Sequence, residues 1–203
     1  MKKIVLSLFF LSLNFGAVKA QESLSYQQPS KEILDLATAP LPPLTSVDGK
    51  GENAFLSYRS RYKSIAELSE KELRLAGLRI NPVTNINSRE NFSEKITYLD
   101  LKTGQEKTIV GLPTEGRFSN QAWNNNDSMF AVTNTTEKGV ELWVVEVKTL
   151  KATKVYEDKL NANLGRPYSW MSDNKTLIVK VLPSDQKALI NTEKALPTGP
   201  TVS

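Results

Sequence analysis

AWNNNDSMFAV (Ala122–Val132) returns, altered but recognisable, as SWMSDNKTLIV (Ser169–Val179). Each copy has a tryptophan, a polar turn containing aspartate, and then a run of apolar residues. Trp123 and Trp170 are 47 positions apart. A second pair follows the same rhythm. ITYLDLKTGQEKTIV (Ile96–Val110) and LWVVEVKTLKATKVY (Leu142–Tyr156) both read as an apolar strand, an acidic residue, Lys-Thr, a turn and another strand. Their lysines, Lys102 and Lys148, are 46 positions apart. Two independent markers with nearly one period indicate a structural repeat.

Upstream, LTSVDGKGENAFLSY (Leu44–Tyr58) reads as an earlier, degraded copy. Asp48-Gly49 supplies its turn and Ala54-Phe55-Leu56 starts its strand. A period in the mid-forties with about four short strands per unit is the pattern of β-propeller blades. VELWVVEV (Val140–Val147) is almost continuously apolar, as expected of a strand covered on both faces. The expected fold is therefore all-β: a partial propeller of about three four-stranded blades over residues 44–203. Trp123 and Trp170 are read as packing residues between blades. A β-sandwich also has many short strands, but it does not require the repeat.

The first unit is interrupted at about residues 62–92. Ser64 with Glu67 and Ser69 with Glu72 both fit a capping box, and Gly77 fits a helix stop, so a short helical insertion is expected there. Before the blades, residues 21–43 form a separate segment. Ser30 is placed to cap a helix over Lys31–Ala37, and the prolines of APLPPL (Ala39–Leu44) force an extended path after it.

The first twenty residues read as a signal peptide. Met1-Lys2-Lys3 is followed by a mostly apolar run from Ile4 to Phe15, with Val18-Lys19-Ala20 before a cut between Ala20 and Gln21. The run is short for a membrane span, though a retained anchor helix is the alternative. The expected product is exported, periplasmic or secreted, with no membrane attachment after removal. Lys2, Lys3 and Lys19 leave with the leader, so a net charge of +4 falls close to neutrality. No Lys/Arg cluster with interleaved aromatics is evident in the remainder, and a nucleic-acid partner is not expected.

Absent residue types limit the chemistry. With no cysteine, an exported chain has no disulfide framework and must rely on a packed core. With no histidine, it lacks the usual general base, a Ser-His-Asp triad and most zinc sites. Asp48, Asp127 and Asp173 sit singly in separate turns and are read as turn formers, so no metal or other cofactor is expected. Asn91, Asn126, Asn134 and Asn174 begin glycosylation tripeptides, a short pattern that recurs by chance.

Several segments carry a resemblance. YQQPSKEILDLATAPLPPL (Tyr26–Leu44) resembles the opening of exported peptidases of the prolyl oligopeptidase family. ELRLAGLRINPVTNINSR (Glu72–Arg89), then ITYLDLKTG, and later LPTGP (Leu196–Pro200), resemble its glutamyl endopeptidase-like branch of bacteria and plant plastids. The resemblance implies an N-terminal propeller that covers an α/β-hydrolase domain bearing a Ser-Asp-His triad. No nucleophile elbow and no histidine occur here, so no catalytic residue is carried over, and the chain alone is expected to be inactive.

An arc of three blades also leaves two faces uncovered. The expectation is a longer polypeptide whose hydrolase domain meets the peptide substrate, or pairing with another chain. A stand-alone exported binding module, self-associating or not, is the alternative function. For a peptidase directed to glutamate, Arg79 and Arg89 are candidate substrate-binding residues, because the planar guanidinium fork binds a carboxylate at two points. The alternative, and the more common role for such arginines, is to pin their own loop to backbone carbonyls or to an acidic neighbour such as Glu72.

Overall fold

A computed structural model describes residues 27–157 and 159–185. The leader, its cleavage point at Ala20 and Gln21, and the Leu196–Pro200 motif lie outside the described residues. The chain divides into two units, Met1–Ala39 and Pro40–Ser203. In the first, helix α1 (Lys31–Thr38) begins where Ser30 precedes it, but the serine side chain makes no cap to the backbone. Lys31 and Asp35 pair one turn apart on its exposed surface, a contact of small energetic weight. Among the described residues no helix is long and apolar enough to cross a membrane.

The second unit is mostly β, in several antiparallel sheets. Strands β1 (Leu44–Val47) and β2 (Asn53–Tyr58) pair, and an insertion follows that contains helix α2 (Ile65–Leu68), β3 (Leu73–Leu75) and β4 (Leu78–Ile80). Strands β5 (Lys95–Asp100) and β6 (Gln105–Thr108) complete a first sheet in the order β1-β2-β5-β6. The second sheet is an uninterrupted meander of β7 (Phe118–Trp123), β8 (Met129–Thr135), β9 (Val140–Glu146) and β10 (Lys151–Tyr156). A third, of two strands among the described residues, pairs β11 (Tyr168–Trp170) with β12 (Leu177–Val179).

The period-2 alternation of side chains decides how these sheets meet. Along β8, Phe130 and Val132 join one core with Phe55, Ile96 and Tyr98 of the first sheet. Ala131 between them joins a second core with Tyr168, Trp170, Leu177 and Val179 of the third. In β9, Leu142 and Val145 divide in the same way. The second sheet thus contributes side chains to a core on each face, as the apolar run Val140–Val147 implied. The three sheets form successive layers, which is not the sealed pair of a two-layer sandwich.

The repeat is visible in the turns. Asp48 N–H bonds Asn53 C=O, Asn124 N–H bonds Met129 C=O, and Met171 N–H bonds Thr176 C=O, all at 2.9 Å. Three residues into each turn, Gly51, Asp127 and Asn174 adopt left-handed φ of 69°, 59° and 61°. These positions correct the alignment by aspartate. Asp48, Asp127 and Asp173 occupy three different places in the turn, because Asn124 in the second copy and Asp173 in the third supply the carbonyl-like acceptor from different positions. Asn124 Oδ1 accepts from the Ser128 and Met129 N–H groups, whereas Asp173 accepts from Lys175 and Thr176.

The tryptophans do hold equivalent places. Trp123 Nε1 donates to Ser46 Oγ at 3.0 Å, in the first strand of the preceding sheet. Trp170 Nε1 donates to the Ala122 carbonyl at 3.3 Å, again in the first strand of the preceding sheet. Both indoles lie between sheets, as the sequence reading expected. Buried Tyr168 adds a second tie, its hydroxyl donating to the Ala131 carbonyl at 2.8 Å with the Asn120 carbonyl alongside. Burial pushes that phenol well above its ordinary pKa, so it stays a donor.

Candidate functional site

The loops that enter β5 and β7 and leave β2 gather at one end of the first two sheets. The insertion between β2 and β5 is built there. Its first part matches expectation: Ser64 and Glu67 form a reciprocal capping box at the start of α2. The second part does not. Leu73–Leu75 and Leu78–Ile80 form a β-hairpin, and Gly77 is a turn residue rather than a helix stop. Ala76 and Gly77 both take positive φ, the conformation of a two-residue hairpin loop. The alternation Leu73-Arg74-Leu75, then Leu78-Arg79-Ile80, favours a strand over a helix.

Glu72 is occupied by this hairpin instead of by Ser69. Its carboxylate accepts from Ser88 Oγ (2.7 Å), Arg74 Nε (2.8 Å), Arg79 Nη1 (2.6 Å) and Arg89 Nε (3.2 Å). The Ser88 hydroxyl first, then the three guanidinium groups, hold its carboxyl far below the usual carboxylate range, outweighing the partial desolvation that opposes them. Arg79 and Arg89 are therefore brought together on Glu72, which is the pinning role that the sequence left open beside substrate binding.

The loop of Asn81, Pro82 and Thr84 explains the polar composition of this stretch. Asn81 Oδ1 accepts from the Val83 and Thr84 N–H groups, and Asn81 N–H bonds the Ile86 carbonyl. That turn drives Ile86 into the second core, where it is 1% exposed. Ile86 also bridges to Ala162 in parallel, in the segment leading to the third sheet. A loop that leaves the first sheet thus ties the approach to the third.

Glu70 anchors the insertion from the other side. It accepts from Arg117 Nη1 (2.9 Å) and from Asn81 Nδ2 (2.7 Å), while the Arg117 guanidinium lies 4.3 Å from the Phe92 ring centre. Between this anchor and the end of β2 lies an open cavity of about 500 Å³. Its wall carries Arg59, Arg61, Lys63 and Arg117, facing Glu67 and Glu94. The stretch Tyr58-Arg59-Ser60-Arg61-Tyr62-Lys63 supplies most of the positive charge. This corrects the sequence reading, which found no basic cluster with interleaved aromatics. The cluster is only six residues long and is invisible to an overall charge near neutrality.

The pairing of these charges is uneven. Glu67 is engaged in the capping box, and Glu94 accepts from Ser60 Oγ at 2.5 Å. Lys63 Nζ donates to the Glu90 carbonyl at 2.6 Å, which fixes the ammonium without neutralising it. Burial raises the Glu90 carboxyl pKa, with Lys63 opposing. Arg59 and Arg117 each have a buried Nε with no hydrogen-bond partner. Of the cavity's hydroxyls, Ser60 Oγ donates to Glu94 and Ser64 Oγ to Glu67, and Lys63 Nζ is held by the Glu90 carbonyl. The cavity's cations suit holding an anion. Among the described residues no cluster of three or more acidic side chains could hold a metal ion. Of the glycosylation tripeptides, Asn134 is buried in β8 with its amide on Glu141.

Layered antiparallel sheets with a loop-built basic cavity at one end define a repeat-built all-β protein. The chain is 28% identical over 173 residues to a probable chloroplastic glutamyl endopeptidase of Arabidopsis thaliana, covering 79% of this chain and 18% of that one. It is also 28% identical over 194 residues to a probable chloroplastic glutamyl endopeptidase of Oryza sativa subsp. japonica, covering 88% of this chain and 20% of the relative. The chain spans about one fifth of the length of these curated relatives. They support a relationship to glutamyl endopeptidase-like peptidases. No family model matches the chain, and no solved structure matches it.

Proposed function

We propose that this chain supplies consecutive blades of a β-propeller that roofs an α/β-hydrolase domain and gates the entry of peptides to it. On this reading the whole protein is an exported serine peptidase, periplasmic or secreted, that cleaves after glutamate. The observation that carries it is the repeated contact of Trp123 and Trp170 with the first strand of the preceding sheet. A contact that recurs between successive layers is what blades around an axis require. The relatives named above give the reading its chemistry.

A second observation supports completion of the third sheet. An apolar groove of about 510 Å³ lies between β9–β10 and the β11–β12 hairpin, lined by Leu142, Val144, Tyr156, Trp170, Leu177 and Val179. A third sheet with two more strands would cover it, as the β5–β6 pair belongs to the sheet that covers the other face. The test is functional. A purified protein from the uninterrupted reading frame should hydrolyse fluorogenic peptides after Glu and lose that activity to a serine-directed fluorophosphonate. The 203-residue chain should be inert. Hydrolysis by the chain alone, or a reading frame with no hydrolase nucleophile elbow, would overturn the proposal.

A further inference from the structure

The geometry points to the cavity beside β2 as a carboxylate-binding subsite, in which Arg59 receives the acidic side chain of a peptide. The choice of a peptide rests on the proposed peptidase role; the choice of a carboxylate rests on the cavity itself. Arg59 is half-buried and makes no ion pair or hydrogen bond among the described residues, although its Nε is buried. An unpaired, half-buried guanidinium on the wall of an open cavity is poised for an anionic partner that arrives from solution. The planar fork matches the two oxygens of a carboxylate.

The surroundings reinforce this. Arg117 is locked by Glu70 and Phe92, so its charge is fixed at the wall rather than free to swing out. Lys63 is held by the Glu90 carbonyl. The Arg117 charge is matched by Glu70, and the two carboxylates on the rim, Glu67 and Glu94, already have donors of their own, so neither is paired with Arg59. A volume of about 500 Å³ is the size of an ordinary small-ligand pocket, enough for one glutamate and its flanking residues. Nucleic acid is disfavoured because a strand needs a track of several phosphate contacts, whereas these cations converge on one cavity whose rim includes Glu67 and Glu94.

Fluorescence anisotropy with the 203-residue chain tests this directly. The probes are N-terminally labelled Ala-Ala-Glu-Ala-Ala-amide and its Gln counterpart, which carry no terminal charge. The Glu peptide should bind at least 10-fold tighter. Arg59→Gln should remove the difference and Arg59→Lys should keep part of it, with unfolding midpoints unchanged. Lys107→Gln, on exposed β6, should leave it intact. Equal binding of the two peptides would overturn the subsite, as would discrimination that survives Arg59→Gln. Tighter binding of a labelled ten-nucleotide oligothymidine than of the Glu peptide would also overturn it, in favour of a nucleic-acid surface. The two proposals fail separately. Glu-selective binding beside a reading frame with no hydrolase sinks the peptidase role and leaves the subsite standing. An active Glu-directed peptidase whose chain is indifferent to the Glu peptide sinks the subsite alone.

Discussion

Phe55 of β2 and Phe130 of β8 stack with ring centres 4.0 Å apart and planes inclined by 23°. They belong to different sheets, and Trp123 closes on both, at 4.9 Å from Phe55 and 5.3 Å from Phe130. This aromatic trio is the bond between the first two layers. Phe55 is fully buried, so Phe55→Ala should destabilise the second unit by about 3–5 kcal/mol, the usual cost of removing a buried phenylalanine. Chemical denaturation followed by tryptophan fluorescence measures it. A loss below about 1 kcal/mol would mean that the layers do not depend on each other.

Ile86 should behave like a core residue despite its polar neighbours. Ile86→Ala is expected to cost about 2–5 kcal/mol, because the loop that carries it is fixed by the Asn81 turn and cannot collapse freely. Asn85→Ala, at a left-handed position in the same loop, should be milder. Thermal unfolding of the two variants side by side makes the comparison.

Two glycines separate backbone strain from crowding. Gly104 has φ of 69° and nothing within 4 Å of the place where a Cβ would sit. Gly104→Ala should cost about 1 kcal/mol, the conformational penalty alone. Gly111 has φ of 89°, and an added Cβ would lie 2.7 Å from the Ala152 carbonyl oxygen, which the β10 backbone holds in place. Gly111→Ala should therefore cost clearly more than Gly104→Ala. Equal losses would show that the linker from β6 to β7 yields easily.

Glu72 makes the insertion sensitive to acid. Its carboxyl pKa is lowered in the folded chain, so its contribution to stability is fully present above the ordinary value of 4.5 and declines as pH falls below that. Glu72→Gln should flatten this acid limb. At neutral pH the variant should be cut faster by trypsin within residues 63–92, since Arg74, Arg79 and Arg89 lose their common acceptor. Arg79→Ala and Arg89→Ala should loosen the same hairpin. An unchanged cleavage rate would show that the hairpin is held by other contacts.

The repeat could be read in the sequence because its period depends on backbone geometry and on two indoles that pack alike. The aspartate alignment went astray for a related reason. Asparagine, aspartate and glycine can exchange places within one turn, so Asp127 and Asp173 look equivalent without being so. The second capping box fails for a different reason: Ser69 and Glu72 have the right spacing, but Glu72 is claimed by arginines that only the hairpin brings near. The role of Ile86 could not be read at all, since its partner Ala162 is distant in sequence. The basic cavity had a local signal in Tyr58–Lys63, diluted by a balanced total charge. Its other wall, Arg117, reaches the site only through the sheet order.

The most direct measurement is a crystal structure of the polypeptide encoded by the uninterrupted reading frame. The propeller reading predicts two further strands on the edge of β12 that is unpaired among the described residues, covering Trp170, Leu177 and Val179, and further sheets layered in the same sense above a hydrolase domain. A structure in which β12 remains a sheet edge, or in which the sheets close into an isolated sandwich away from any catalytic domain, would contradict it.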